Sequence, residues 1–255
     1  MNKLTFTIIT AALLMALAPH SLATPDTEQG KVAMGSMTVT ELENTADTLR
    51  AQKDYREAIR YFKVALGKEP KNAVLYNKLG ISQMQLGDWR GSRSSFEKAI
   101  KLDPQYSDAF NNLGALAYVQ KKYDKAAKQF KKALALDETR ATFHVNLGAT
   151  WFNQGKLDRA VAEYTRAFEL DPDVLGENSK AGVIAQISTP EERARYDYML
   201  AKIYARRGDV ERCLQCLKRA KEGGYPDMNK VYKDPEFAGL WQDARLSEVV
   251  PSPHK

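Results

Sequence analysis

The chain has 255 residues, of which 44% are hydrophobic and 27% charged, with a formal net charge of +6. That balance excludes a wholly disordered polymer, and the length suits two domains or one extended array better than a single core. Both signs of charge are interspersed along the chain, which argues against a dedicated nucleic-acid binder.

The N-terminus reads as a secretory signal. Lys3 precedes an apolar run from Leu4 to Leu17, Pro19 breaks it, and Ser21-Leu22-Ala23 is a small-x-small cleavage pattern. The run is too short for a membrane-spanning helix, which needs roughly 20 apolar residues. Cleavage after Ala23 is expected, and with it export to the periplasm or the cell exterior. Residues 24–38 show no period and are expected to be a flexible leader.

From Val39 the sequence repeats itself every 34 residues, in units 39–72, 73–106, 107–140 and 141–174. The seventh and eighth places read Thr45-Ala46, Leu79-Gly80, Leu113-Gly114 and Leu147-Gly148. The twentieth is small (Ala58, Ser92, Ala126, Ala160), and the twenty-fourth is aromatic (Phe62, Phe96, Phe130, Tyr164). The twenty-seventh is alanine (Ala65, Ala99, Ala133, Ala167). This spacing predicts a pair of helices per unit. Small residues at the eighth and twentieth places allow close backbone approach, and the aromatic fills the space beside them. Pro70, Pro104 and Pro172 stop the second helix before the next unit begins.

These residues resemble the tetratricopeptide repeat family, over four units without an insertion. The resemblance implies an all-α, right-handed helical solenoid in which stacking supplies the core that one unit lacks. Residues 175–193 form an irregular insert, ending in a helix-start signal at Thr189-Pro190-Glu191-Glu192. A fifth, divergent unit occupies 194–227, with Leu200-Ala201, Cys213, Leu217 and Ala220 at the repeat places. Residues 228–255 read as a C-terminal cap and tail. Asp234 is the expected N-cap there, and Phe237, Leu240, Trp241 and Leu246 are the expected buried stripe.

No constellation points to catalysis, a cofactor or a metal. Of three histidines, His20 lies in the signal and His254 in the tail, so His144 has no second histidine with which to hold a metal. Cys213 and Cys216 form a C-x-x-C, which raises a disulfide or redox pair in an exported protein. The pair falls mid-helix, where packing is the alternative and an i, i+3 disulfide is strained. Lys121, Lys122, Lys125, Lys128, Lys131 and Lys132 make the most basic stretch. It is either a solvated outer face or a weak contact site for an anionic surface.

In the resembling family the first helices line a concave groove. Carried over place by place, this puts Asn44, Lys78, Asn112 and Asn146 in it at the sixth place. Asn77 and Asn111 are there at the fifth, and Met84, Tyr118 and Phe152 at the twelfth. An asparagine amide both donates and accepts, so a column of them can bond a peptide backbone whatever its side chains. Lys78 interrupts that column, although it could accept a peptide carboxylate. The readings are a non-enzymatic scaffold that binds extended protein segments in the groove, or plain wet groove lining. A further alternative is an assembly factor of an envelope or secretion complex, docking by its convex face and terminal helices. A redox protein using the two cysteines is the third class. The sequence leaves the partner and the oligomeric state open.

Overall fold

The computed structural model describes residues 34–174 and 189–252. The expected signal segment, residues 24–33 of the expected leader, residues 175–188 of the insert and the last three residues, with His254, lie outside the described residues.

Helices come in antiparallel pairs: α1 Val39–Ala51 with α2 Tyr55–Lys68, α3 Ala73–Gln85 with α4 Trp89–Leu102, α5 Ser107–Val119 with α6 Tyr123–Leu136, and α7 Ala141–Asn153 with α8 Leu157–Leu170. A fifth pair is α9 Pro190–Arg206 with α10 Val210–Glu222. Two short 3-10 helices, Met228–Tyr232 and Pro235–Leu240, and α11 Ala244–Val249 close the C-terminal end.

The helix starts follow from local chemistry. Asp54, Asp88 and Asp209 each accept a backbone N–H three residues on, as does Asn72. Thr189 and Glu192 form a reciprocal capping box ahead of α9, with Pro190 as the first helical residue. The turn within each pair needs one left-handed residue at the fifteenth place. Glycine supplies it at Gly87, Gly155 and Gly208, but Lys53 (φ 64°) and Lys121 (φ 57°) adopt it in units one and three. A side chain there costs roughly 1–2 kcal/mol relative to glycine.

Packing within a pair turns on the eighth and twenty-fourth places. A Cβ built on Gly114 would stand 2.7 Å from Phe130 Cε1, and one on Gly80 would stand 2.6 Å from Phe96 Cε1. Phe62, Phe96 and Phe130 are wholly buried and Tyr164 nearly so, each contributing roughly 1.5–3 kcal/mol by burial. Alanine takes the glycine's place in the fifth pair, where Ala201 meets the smaller Leu217, and in the first, where Ala46 accompanies Phe62.

Three expectations change. Met34 is buried in the core of the first pair, and Lys68 Nζ donates to Gly35 O at 2.8 Å, so the end of the leader packs on the repeat. Trp241 is 41% exposed, with Nε1 donating to Val231 O at 2.9 Å, while Phe237, Leu240 and Leu246 are buried as a cap. Asp234 makes no side-chain cap, because its carboxylate accepts from Tyr198 Oη at 2.8 Å and faces Lys202 at 3.4 Å.

Lys202 is the pin of this end. Its buried ammonium lies 3.1 Å from Asp158 of α8, 3.4 Å from Asp234 and 3.5 Å from Glu236. Burial by itself would depress its pKa. The hydrogen bond to Asp158 and the charges of Glu236 and Asp234 outweigh that and hold it above the ordinary lysine value.

Substituting Gly114→Val is expected to cost about 1–3 kcal/mol through the clash with Phe130. The added change Phe130→Leu is expected to recover part of it, because a smaller side chain, as at Leu217 of the fifth pair, relieves the clash. Urea denaturation of the single and double variants checks both.

Candidate functional site

The first helices stand side by side. α3 packs on α5 and α5 on α7, whereas α2, α4 and α6 pack on the first helix of the following pair. The first helices therefore form the inner surface of the array and the second helices the outer one.

A chain of polar pairs runs across that inner surface. Lys78 Nζ donates to Glu43 Oε1 at 2.6 Å, Asn112 Nδ2 to Asn77 Oδ1 at 2.9 Å, and Asn146 Nδ2 to Asn111 Oδ1 at 2.8 Å. Each joins the fifth place of one unit to the sixth of the next, 35 residues along. Asn111 and Asn112 thus point in opposite directions along the array, one forward and one back. Lys78 does not interrupt the column; it replaces an amide pair by an ion pair. Between units four and five the same two places hold Val145 and Met199, both buried in one apolar cluster. Tyr118 Oη accepts from Asn153 Nδ2 at 2.7 Å, a further tie between neighbouring units, and Tyr106 Oη accepts from Asn77 Nδ2 at 3.2 Å within the second unit.

Burial sorts the remaining groove residues. Asn77 and Asn146 are 4% and 1% exposed, and Tyr118 and Phe152 are 0% and 3% exposed. The rings of Tyr118 and Phe152 were expected to face a ligand. Instead, they pack edge-on against Tyr123 and Tyr196, at 5.5 and 5.4 Å. Met199 and Ile203 of α9 join the same core cluster as Phe152. Access remains over α1, α3 and α5. Asn111, Asn112 and Met84 are half-buried there and Asn44 is exposed, with Val74 and Val119 each 42% exposed nearby.

The charges of this surface are matched. Lys78 also pairs with Asp47, Asp47 with Arg50 at 2.8 Å, and Arg140 with Asp108 at 2.9 Å. Burial opposes the charge on Lys78, but hydrogen bonds to Asp47 and Glu43 hold its pKa above the ordinary value. Its ammonium is already committed to two acids, which corrects the reading that it could accept a peptide carboxylate.

The cysteines are two free, buried thiols rather than a disulfide. Burial pushes Cys213 up to about 12 and Cys216 up to about 11. A redox nucleophile needs the opposite shift. Cys213 fills the small twentieth place, and Cys216 accepts from the Arg219 guanidinium at 3.1 Å. His144 is held by Glu163 at 2.8 Å and by the Glu138 carbonyl at 3.2 Å. Among the described residues no cluster of three His, Cys, Asp or Glu side chains is arranged to hold a metal.

Paired helices stacked in register, with a first-helix inner surface, define a helical-repeat interaction fold. Three tetratricopeptide repeat models match the sequence, over residues 42–74, 77–141 and 117–177. The chain belongs to the tetratricopeptide repeat family. Its fold is similar to that of a MamA protein, at 22% identity and TM-score 0.50 over 77% of this chain and 95% of that one. It is similar also to MamA from Desulfovibrio magneticus, at 20% identity and TM-score 0.51 over 72% of this chain and 93% of that one. A third likeness is a thermophilic repeat protein of the same family from Thermus thermophilus, at 20% identity and TM-score 0.51 over 79% and 98% of the two chains. No curated protein matches by sequence.

Asn112→Ala is expected to cost about 1–3 kcal/mol, because it leaves the buried Asn77 carbonyl without its donor. Asn44→Ala, at an exposed position of the same column, is expected to stay within about 0.5 kcal/mol. Thermal unfolding of the two variants separates a stapling role from a surface one. For the thiols, Ellman titration of the native protein at neutral pH is expected to find neither reactive and, after denaturation, both. Since folding raises the thiol pKa values, their contribution is full below about 8.5, the ordinary thiol value. It is lost as pH rises toward about 11 and 12.

Proposed function

We propose that this protein is a non-enzymatic interaction scaffold, exported by its N-terminal signal, that holds extended segments of partner proteins on its inner surface across α1, α3 and α5. The observation that carries this reading is the unspent half of each central amide. Among the described residues, Asn112 uses its N–H on Asn77 and keeps its carbonyl oxygen, whereas Asn111 uses its carbonyl oxygen on Asn146 and keeps its N–H donors. One acceptor and one donor group, adjacent on the same turn and half-exposed, match the N–H and C=O of a peptide unit. The stapling bonds fix both side chains in advance, so little rotamer entropy is lost when a peptide docks. Val74, Val119 and the half-buried Ile81 and Met84 supply apolar contact beside them.

Matched charge sets the class of segment. With Glu43, Asp47, Lys78, Arg50, Asp108 and Arg140 already paired, the surface favours uncharged segments with apolar side chains over acidic or basic ones. Peptide selection on the purified protein tests this. Enriched peptides are expected to be uncharged, to bind with little dependence on salt, and to weaken about tenfold or more with Val119→Glu, which buries a carboxylate in the contact. Selected peptides indifferent to both Val119→Glu and Val74→Glu would place binding on another surface.

A further inference from the structure

The outer surface of the third unit differs from the inner surface in one respect: among the described residues its lysines have no acidic partners. Lys125, Lys128 and Lys132 follow one another at intervals of three and four residues, which aligns them on one face of α6, and Lys121 stands in the turn just before it. All four are exposed, and none pairs with a carboxylate among the described residues. Lys132 lies over the Phe110 ring, 5.4 Å from its centroid, a contact that leaves its charge in place. The one acid on α6, Asp124, accepts from Gln154 at 2.9 Å and sets a single negative charge against the four lysines of that helix. Beside this row, Lys131, Lys156 and Arg159 converge on the buried Trp151 ring, with cation-to-centroid distances of 5.0, 4.9 and 5.2 Å. Three cations around one ring lie within roughly 10 Å of each other, about a Debye length at ordinary salt, so their fields add. Like charges at i, i+4 also oppose the helix that carries them. Lys121 adds a second cost, since it takes the left-handed turn place that glycine fills in units two, four and five.

We propose that the outer surface of α6, continued by the cations around Trp151, docks an acidic, extended segment of a partner protein. This goes beyond the inner-surface reading and does not depend on it. The helical part of the row is about 10 Å long, with a lysine about every 5–6 Å along the axis. An extended chain presents same-side residues about 6.6 Å apart, so alternating Asp or Glu side chains meet successive lysines. A protein segment fits better than a bilayer, because no large exposed apolar side chain stands on α6 or α8 to enter lipid. The Trp151 ring supplies a rigid floor that holds its three cations without consuming their charge.

The test measures binding of a labelled peptide of about 12 residues, alternating glutamate and serine, to the purified protein at about 50 and 300 mM salt. Vesicles containing phosphatidylglycerol form a parallel arm. The unchanged protein is expected to bind the peptide at low salt and release it at high salt. Combined Lys125→Glu, Lys128→Glu and Lys132→Glu is expected to weaken binding by about tenfold or more. The groove variant Val74→Glu, distant from the lysine row, is expected to leave it unchanged. Lys121→Gly provides a readout that folding damage cannot mimic. It relieves the turn, so the melting temperature holds or rises while peptide binding still weakens. Equal affinity in the triple variant, loss of binding in Val74→Glu alone, or binding to vesicles without binding to the peptide each overturns the proposal.

Discussion

A pair of helices of 13 or 14 residues each cannot hide its apolar face from water, and everything else in this protein follows from that deficit. The pair is held by a ring pressed against a bare backbone, Phe130 on Gly114 and its counterparts. The remaining apolar face is covered by the next pair. Such contacts are strong but slippery, because apolar surfaces tolerate small sliding displacements. The polar pairs at the fifth and sixth places are directional and sit at the point where adjacent first helices meet. Glu43 with Lys78, Asn77 with Asn112 and Asn111 with Asn146 therefore fix lateral register where burial alone would not. At the junction with the fifth pair the device is absent, and apolar Val145 and Met199 take its position. There the charge cluster around Lys202 supplies the directional contact instead, tying α8, α9 and the cap together.

The two faces of the array treat charge differently. On the inner face opposite charges are paired, Lys78 with Glu43 and Asp47 across units, and among the described residues Asn111 and Asn112 each leave one half of the amide unused. On the outer face of the third unit, cations accumulate without paired acids. A neutral, amide-lined surface and an uncompensated basic one cannot favour the same ligand. The first rewards backbone hydrogen bonding and is nearly indifferent to salt, and the second rewards acidic chains and is screened by salt. Under the two proposals, one solenoid would contact two segments through surfaces of different chemistry, while Cys213 and Cys216 lie buried in the packing and His144 is held by Glu163.

Much of the architecture was legible in the sequence because the period is rigid. Gly114 and Phe130, or Asn72 and Asp88, carry out local tasks that depend on residue type and spacing alone. The inner surface was only half legible. A side chain at a groove place was read as facing a ligand, yet Tyr118 and Phe152 are covered by other rings, and Asn146 is buried. The stapling pairs did leave a trace. At each of the first three junctions the fifth place of one unit and the sixth of the next are chemically matched: an acid with a lysine, then an amide with an amide twice. That signal emerges only when adjacent units are compared in diagonal register, at 35 residues rather than 34. Asp234 misled for a similar reason: its sequence position is that of a cap, but Tyr198 and Lys202, more than thirty residues earlier, claim its carboxylate.

By itself, the sequence determined the helix pairs, their turns and the repeat, since these rest on period, small residues and rings, all local properties. It also determined that Asn111 and Asn112 belong to separate columns. Tertiary structure alone decided what those columns do. Which half of an amide is consumed, and which is left for a partner, depends on the neighbouring helix brought alongside by stacking. Hydrogen bonds have direction, and direction exists only once both partners are in place.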